Sequence, residues 1–151
     1  MNIKGVIIKE LKQFSDERGW LSEIYRQDEI DFSPTMSYVS LTKSGEVRGP
    51  HEHVSQSDYF VFLGPGTFEL HLWDRRKESP SFGAYQKITA GAEQAKSILV
   101  PPGVVHGYKC VSSEDGLSIN LPDKLYKGIG KQEEVDEIRW EEDSDSPYKI
   151  E

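Results

Sequence analysis

Short apolar runs broken by turn residues dominate this chain, and several of them alternate apolar with polar positions. The clearest is residues 67–74, where Phe68, Leu70 and Leu72 point one way and Glu69, His71 and Trp73 the other. That period of two belongs to a strand with one buried face. Residues 58–63 are instead continuously apolar and aromatic after Asp58, and Gly64-Pro-Gly66 closes them, which suits a strand buried on both faces. Further strands are expected at 4–11, 19–26, 36–42, 85–89, 97–100, 107–111 and 117–121. One helical stretch is expected over 132–139. Strands this short and this evenly punctuated predict an all-β sandwich or barrel. The chain reads as one domain, residues 1–151, without repeats or linkers.

Composition narrows the function classes. The chain has 151 residues, 36% hydrophobic and 29% charged, as in an ordinary globular protein. A formal net charge of −8 argues against nucleic acid as partner, although a few arginines can still build a local anion site. No apolar stretch reaches membrane-helix length, and the N-terminus is too interrupted by charge for a signal peptide. A single cysteine, Cys110, rules out an internal disulfide and reads as a small half-buried residue. These features place the protein in the cytoplasm, away from membranes. From about residue 133 the chain turns acidic, with Glu141-Glu142-Asp143 and Asp145, which reads as a solvated C-terminal surface.

Candidate chemistry gathers in two segments that hold three of the four histidines. The first is Gly45-Glu-Val-Arg48-Gly49-Pro-His51-Glu-His53, with Asp58 five residues on; the second is Pro101-Pro-Gly103-Val-Val-His106. Positions 51 and 53 share one face of an extended strand, and a second strand can bring His106 to them. His71 lies outside this group and needs no role beyond its polar strand face. Two chemistries fit the cluster. Imidazoles with one carboxylate suit a divalent transition metal, giving His51, His53, Asp58 and His106 as an alternative ligand set. Without metal or other cofactor, histidine can instead remove a proton next to a carbonyl, provided a neighbour stabilises the enolate.

The two histidine segments resemble the two halves of a cupin site. The wider sequence resembles the dTDP-4-dehydrorhamnose 3,5-epimerases, cupins of deoxysugar synthesis. Asp16-Glu-Arg18-Gly19-Trp-Leu-Ser-Glu23 is similar to the family's Asp-x-Arg-Gly-x-Phe-x-Glu, and the Arg48-Gly49-Pro-His51 stretch to its Arg-Gly-Leu-His. Trp73-Asp74-Arg-Arg76-Lys-Glu-Ser79-Pro-Ser-Phe82-Gly83 and Val100-Pro-Pro-Gly103-Val-Val-His106-Gly107 match two more segments in order. Tyr126 and the later Glu134-x-x-x-Ile138-Arg-Trp140 resemble the C-terminal pattern.

The resemblance implies a cupin jelly roll, a homodimer with an exchanged N-terminal strand, and a nucleotide-linked 4-keto-6-deoxy sugar as substrate. It gives His51 the role of base and puts His106 in the same pocket. Arg18 and Arg48 would hold the diphosphate, with Glu23 reaching the nucleotide, while Arg76 and Ser79 lie near the ligand. The departures are as informative. Asp58 stands where the family has a lysine, and Asn120 where it has the acidic tyrosine; the carboxylate that partners the base falls beyond Glu151. Tyr38 and His53 are the candidates to donate a proton instead, with Asn120 and Tyr126 left to contact substrate. The His-x-His pair also resembles the sugar 3,4-ketoisomerases, which act on the same substrates. A metal-binding cupin or a sugar-nucleotide binder without catalysis are the remaining alternatives.

Overall fold

The computed structural model describes residues 2–151. In chain order the strands are β1 (Ile7–Glu10), β2 (Phe14–Asp16), β3 (Gly19–Leu21), β4 (Tyr38–Thr42), β5 (Val47–Glu52) and β6 (Asp58–Phe62), followed by β7 (Thr67–Asp74), β8 (Tyr85–Gly91), β9 (Lys96–Val100), β10 (Val104–Cys110), β11 (Gly116–Asn120) and β12 (Ile138–Arg139). Two five-stranded antiparallel sheets, β1-β9-β6-β11-β4 and β12-β5-β10-β7-β8, form the jelly roll, and β2 and β3 make a separate hairpin. Among the described residues no helix is long and apolar enough to cross a membrane.

The alternation in β7 is obeyed along its whole length. Phe68, Leu70 and Leu72 are fully buried and meet Phe60, Phe62, Ile98, Val104 and Tyr108 in the core between the sheets. Strand β6 is buried on both faces because Tyr59 and Val61 pack outward under Leu11 and Phe32, against Ile24 and Ile30. The segment after β3 therefore does not continue as a strand to residue 26, as the sequence suggested. It peels off to cover the outside of the first sheet. The expected strand at 4–11 shortens to β1, which pairs with β9 of its own chain.

The helix expected over 132–139 does not form. An isolated helix of eight residues is marginal, and long-range partners claim its polar groups. Asp136 caps the loop after β5, and Ile138–Arg139 pairs with the β5 edge. Single 3-10 turns at Ile129–Lys131 and Trp140–Glu142 flank it. In the acidic tail Glu141, Glu142, Asp143 and Asp145 are exposed, as expected, but the segment around them is anchored. Tyr148 packs against Trp73 and Trp140, their ring centroids 5.6 and 5.1 Å away, and Ser146 is buried.

Candidate active site

Strands β5 and β10 lie side by side, and their register sets His51 directly opposite His106. Directly opposed residues share a face of the sheet. The imidazole centroids are 4.6 Å apart. The strands approach this closely because Gly49 and Gly107 carry no side chain. A Cβ on Gly49 would sit 2.8 Å from the His106 carbonyl oxygen, and one on Gly107 2.8 Å from that of Arg48. A bulge between these pairs re-aims β5. His53, one residue past β5, stays on the same side, its ring centroid 5.5 Å from His51 and 5.7 Å from His106.

The facing sheet supplies the acid. Asp58 opens β6, and strand alternation points it inward with Phe60 and Phe62. Its Oδ2 lies 3.0 Å from His53 Nε2 and 3.2 Å from His106 Nε2. Its Oδ1 accepts hydrogen bonds from Gln56 Nε2 (2.9 Å) and Asn120 Nδ2 (2.8 Å). Asn120, opposite Tyr38 on β4, also donates to the Tyr38 hydroxyl at 3.0 Å. Burial alone would push the Asp58 carboxyl up, but the two imidazoles outweigh it and hold the group well below the usual range. Burial likewise pushes the His53 imidazole down. The Asp58 hydrogen bond and charge, with the Asp136 carbonyl, overcome that and hold it at about 9.

His51 is different. Burial, with repulsion from His106 and His53, pushes its imidazole down to about 2, so it is neutral throughout the working range. Glu137 Oε1 faces its Nδ1 at 3.8 Å. Tyr38 is raised to about 12, chiefly by desolvation of its hydroxyl end and then by the Asp58 charge, against the Asn120 bond that lowers it. It is therefore a protonated phenol at neutral pH.

One side of this cluster opens onto a cavity of about 770 Å³, whereas Asp58, His106 and Asn120 are buried behind its wall and do not line it, contrary to the expectation for His106 and Asn120. Tyr38, His51 and His53 line it, as does Tyr126 with Lys127 above its ring. Lys124, Lys131 and Arg139 line it too, balanced by Glu133, Glu134, Asp136 and Glu137, and Arg139 is paired with Glu137 and Glu142.

The arginines named from sequence lie elsewhere within the chain. Arg76 is not on this cavity, because its guanidinium is spent on Asp74 and the Lys4 carbonyl oxygen. Ser79 also belongs to that Asp74 cluster. Arg48 donates to Thr42 Oγ1 and the Leu41 carbonyl oxygen at the edge of β4. Arg18 pairs with Asp16 on the exposed β2–β3 hairpin, and Glu23 pairs with Arg26 on the outer cover. Two features escaped the sequence reading. The carboxylate facing His51 is Glu137, from inside the chain and not beyond its last residue. The lysines on the cavity, Lys124, Lys127 and Lys131, come from a basic run around Tyr126 in an otherwise acidic chain, and that local reversal of charge was the available signal.

Comparisons with known proteins identify the family. The family model described as dTDP-4-dehydrorhamnose 3,5-epimerase matches residues 1–144. The probable low-salt glycan biosynthesis epimerase Agl13 of Haloferax volcanii is 36% identical over 128 residues, 83% of this chain and 81% of the relative. The spore coat polysaccharide biosynthesis protein SpsL of Bacillus subtilis is 34% identical over 119 residues, 78% of this chain and 77% of the relative. Among solved structures, a dTDP sugar isomerase from Desulfovibrio desulfuricans G20 shares the fold with a TM-score of 0.84 at 23% identity, over 97% of this chain and 91% of that one.

Proposed function

Because the chain belongs to the dTDP-4-dehydrorhamnose 3,5-epimerase family, we propose that it inverts the carbon beside the ketone of a nucleotide-linked 4-keto-6-deoxy sugar. The observation that carries this reading is a neutral imidazole and a protonated phenol on one cavity wall, contributed by opposite sheets. His51 takes the proton from C3, and the bonding electrons move into the enolate of the C4 ketone. The Tyr38 hydroxyl returns a proton to the opposite face of C3, and solvent restores both groups. General acid–base assistance of this kind contributes about 10²–10⁴-fold.

Low basicity is the weak side of His51. Closure of Glu137 from 3.8 Å to hydrogen-bond distance would stabilise the imidazolium as it forms. Lys124, Lys127 and Lys131 are the groups on the cavity that can pair with the diphosphate, swinging away from Glu133 and Glu134 beside them. The exposed Phe14, Trp20 and Leu21 make the β2–β3 hairpin the segment that a homodimer would bury, carrying Arg18 toward the partner's cavity. Relatives named for glycan and spore-coat polysaccharide synthesis support a role in polysaccharide assembly.

Incubation with dTDP-4-keto-6-deoxyglucose in heavy water tests the reading. Deuterium at C3, with or without C5, and inverted product are expected. A 3-keto product would make the protein a ketoisomerase, and binding without exchange would make it a binder.

A further inference from the structure

We propose that His53, Asp58 and His106 form a binding site for one divalent transition-metal ion just behind the cavity wall, which His53 reaches. Three observations carry this. The first is spacing. The Nε2 atoms of His53 and His106 approach the same Asp58 Oδ2 at 3.0 and 3.2 Å. Adjacent ligand atoms around an ion with bonds of about 2.1 Å stand at about this separation.

The second is the outer ring of contacts. His53 Nδ1 bonds the Asp136 carbonyl oxygen, and His106 Nδ1 lies 2.9 Å from the Val104 carbonyl oxygen. A carbonyl only accepts, so each Nδ1 carries the proton and the Nε2 is the nitrogen turned inward. Asp58 is braced in the same way. Gln56 and Asn120 occupy its Oδ1 and leave Oδ2 to the two imidazoles. Ligands of transition metals are oriented by this kind of support.

The third is isolation. His106 is 2% exposed, and among the described residues its Nε2 faces nothing polar but the Asp58 carboxylate and the neighbouring imidazoles. With Nδ1 protonated, Nε2 turns toward the Asp58 oxygen, and only a positive charge between the two atoms, a second proton or a metal ion, makes that approach favourable. Two imidazoles and one carboxylate suit Mn²⁺, Fe²⁺, Co²⁺, Ni²⁺ or Zn²⁺ and leave positions open for substrate.

His51 offers a nitrogen within 4.8 Å of these atoms. It nevertheless belongs to the cavity wall, with Glu137 at its Nδ1. The triad therefore holds the ion and His51 remains the base. This division of labour rests on the epimerase reading. An ion held here would supply positive charge for the developing enolate, in a site where Asp58 stands in place of a lysine.

The test uses the full chain purified without an affinity tag. Elemental analysis is expected to find close to one transition-metal ion per chain. Chelator-stripped protein is expected to rebind Co²⁺ or Mn²⁺ in calorimetry, with ligand-field bands for Co²⁺. Asp58→Asn and His106→Gln should weaken binding by about 100-fold or more, since outer-ring partners alone are worth about 10–100-fold. His51→Gln should bind metal like wild type.

Stripped wild-type protein that takes up none of these ions from micromolar to millimolar concentration overturns the proposal, whatever the variants do. So does loss of metal from His51→Gln in a folded protein. Metal bound without substrate deuterium exchange leaves the site standing and removes the epimerase reading. Exchange at full rate in stripped protein leaves the epimerase reading standing and removes the ion's role.

Discussion

Tyr38 is the residue on which stereochemistry depends, because a base alone returns its proton to the face it came from. Its hydroxyl accepts from Asn120, so its own proton is free to point into the cavity. The raised pKa keeps that proton in place at neutral pH. Tyr38→Phe removes the donor and keeps the ring. We expect deuterium still to enter C3 with retained configuration, while inversion falls about 100-fold or more. Mass spectrometry of recovered substrate beside chromatography of the product separates the two events. Equal loss of both would show that Tyr38 only shapes the pocket. The sequence brought Tyr38 into consideration through the strand that leads to the histidines, but its partner was not legible there. Asn120 lies 82 residues away, and only the pairing of β4 with β11 sets them opposite each other.

At the scale of elements, the histidine pair was readable and its support was not. His51 and His53 share a face because strands repeat every two residues, and that rule needs no neighbours. The alternation of β7 and the unbroken apolar run of β6 were legible for the same local reason. Residues 132–139 misled because their polar groups are satisfied far away. Asp136 alone accepts from the Val54, Ser55 and Gln56 amides and from the Ser55 hydroxyl, pinning the loop that follows His53. Asp136→Ala strips those four bonds. Leaving loop amides short of partners costs about 1–3 kcal/mol. That corresponds to a fall in Tm of several degrees, at about 2–4 °C per kcal/mol for a domain this size. Scanning calorimetry checks it, and an unchanged Tm would mean that water replaces the carboxylate. Because the same segment carries Glu137, the variant should also lose more turnover than its stability loss explains.

For the molecule as a whole, the acid limit of stability is set partly by a cluster remote from the cavity. Asp74, at the end of β7, accepts from Arg76, from Ser79 and from Ser81, while Arg76 also holds the Lys4 carbonyl oxygen and Ser81 accepts from the Lys4 amide. One buried carboxylate thus ties the start of the chain to the β7–β8 connection. Burial would push Asp74 up, but the hydrogen bonds from Arg76, Ser79 and Ser81 outweigh it and hold the group below the usual carboxylate range. The folded state therefore binds this proton more weakly than the unfolded chain. The resulting stability is complete above the unfolded value of about 3.9 and is lost as pH falls through the lower folded value. The histidine cluster titrates in the same chain, but its contribution is shared by wild type and Asp74→Asn and drops out of their difference, since the two sites share no partners. The Tm gap between these proteins should be widest and constant above about pH 5, then narrow steadily as acid protonates the wild-type carboxylate. A gap that stays constant down to about pH 2 would mean that shape, and not charge, is what Asp74 contributes.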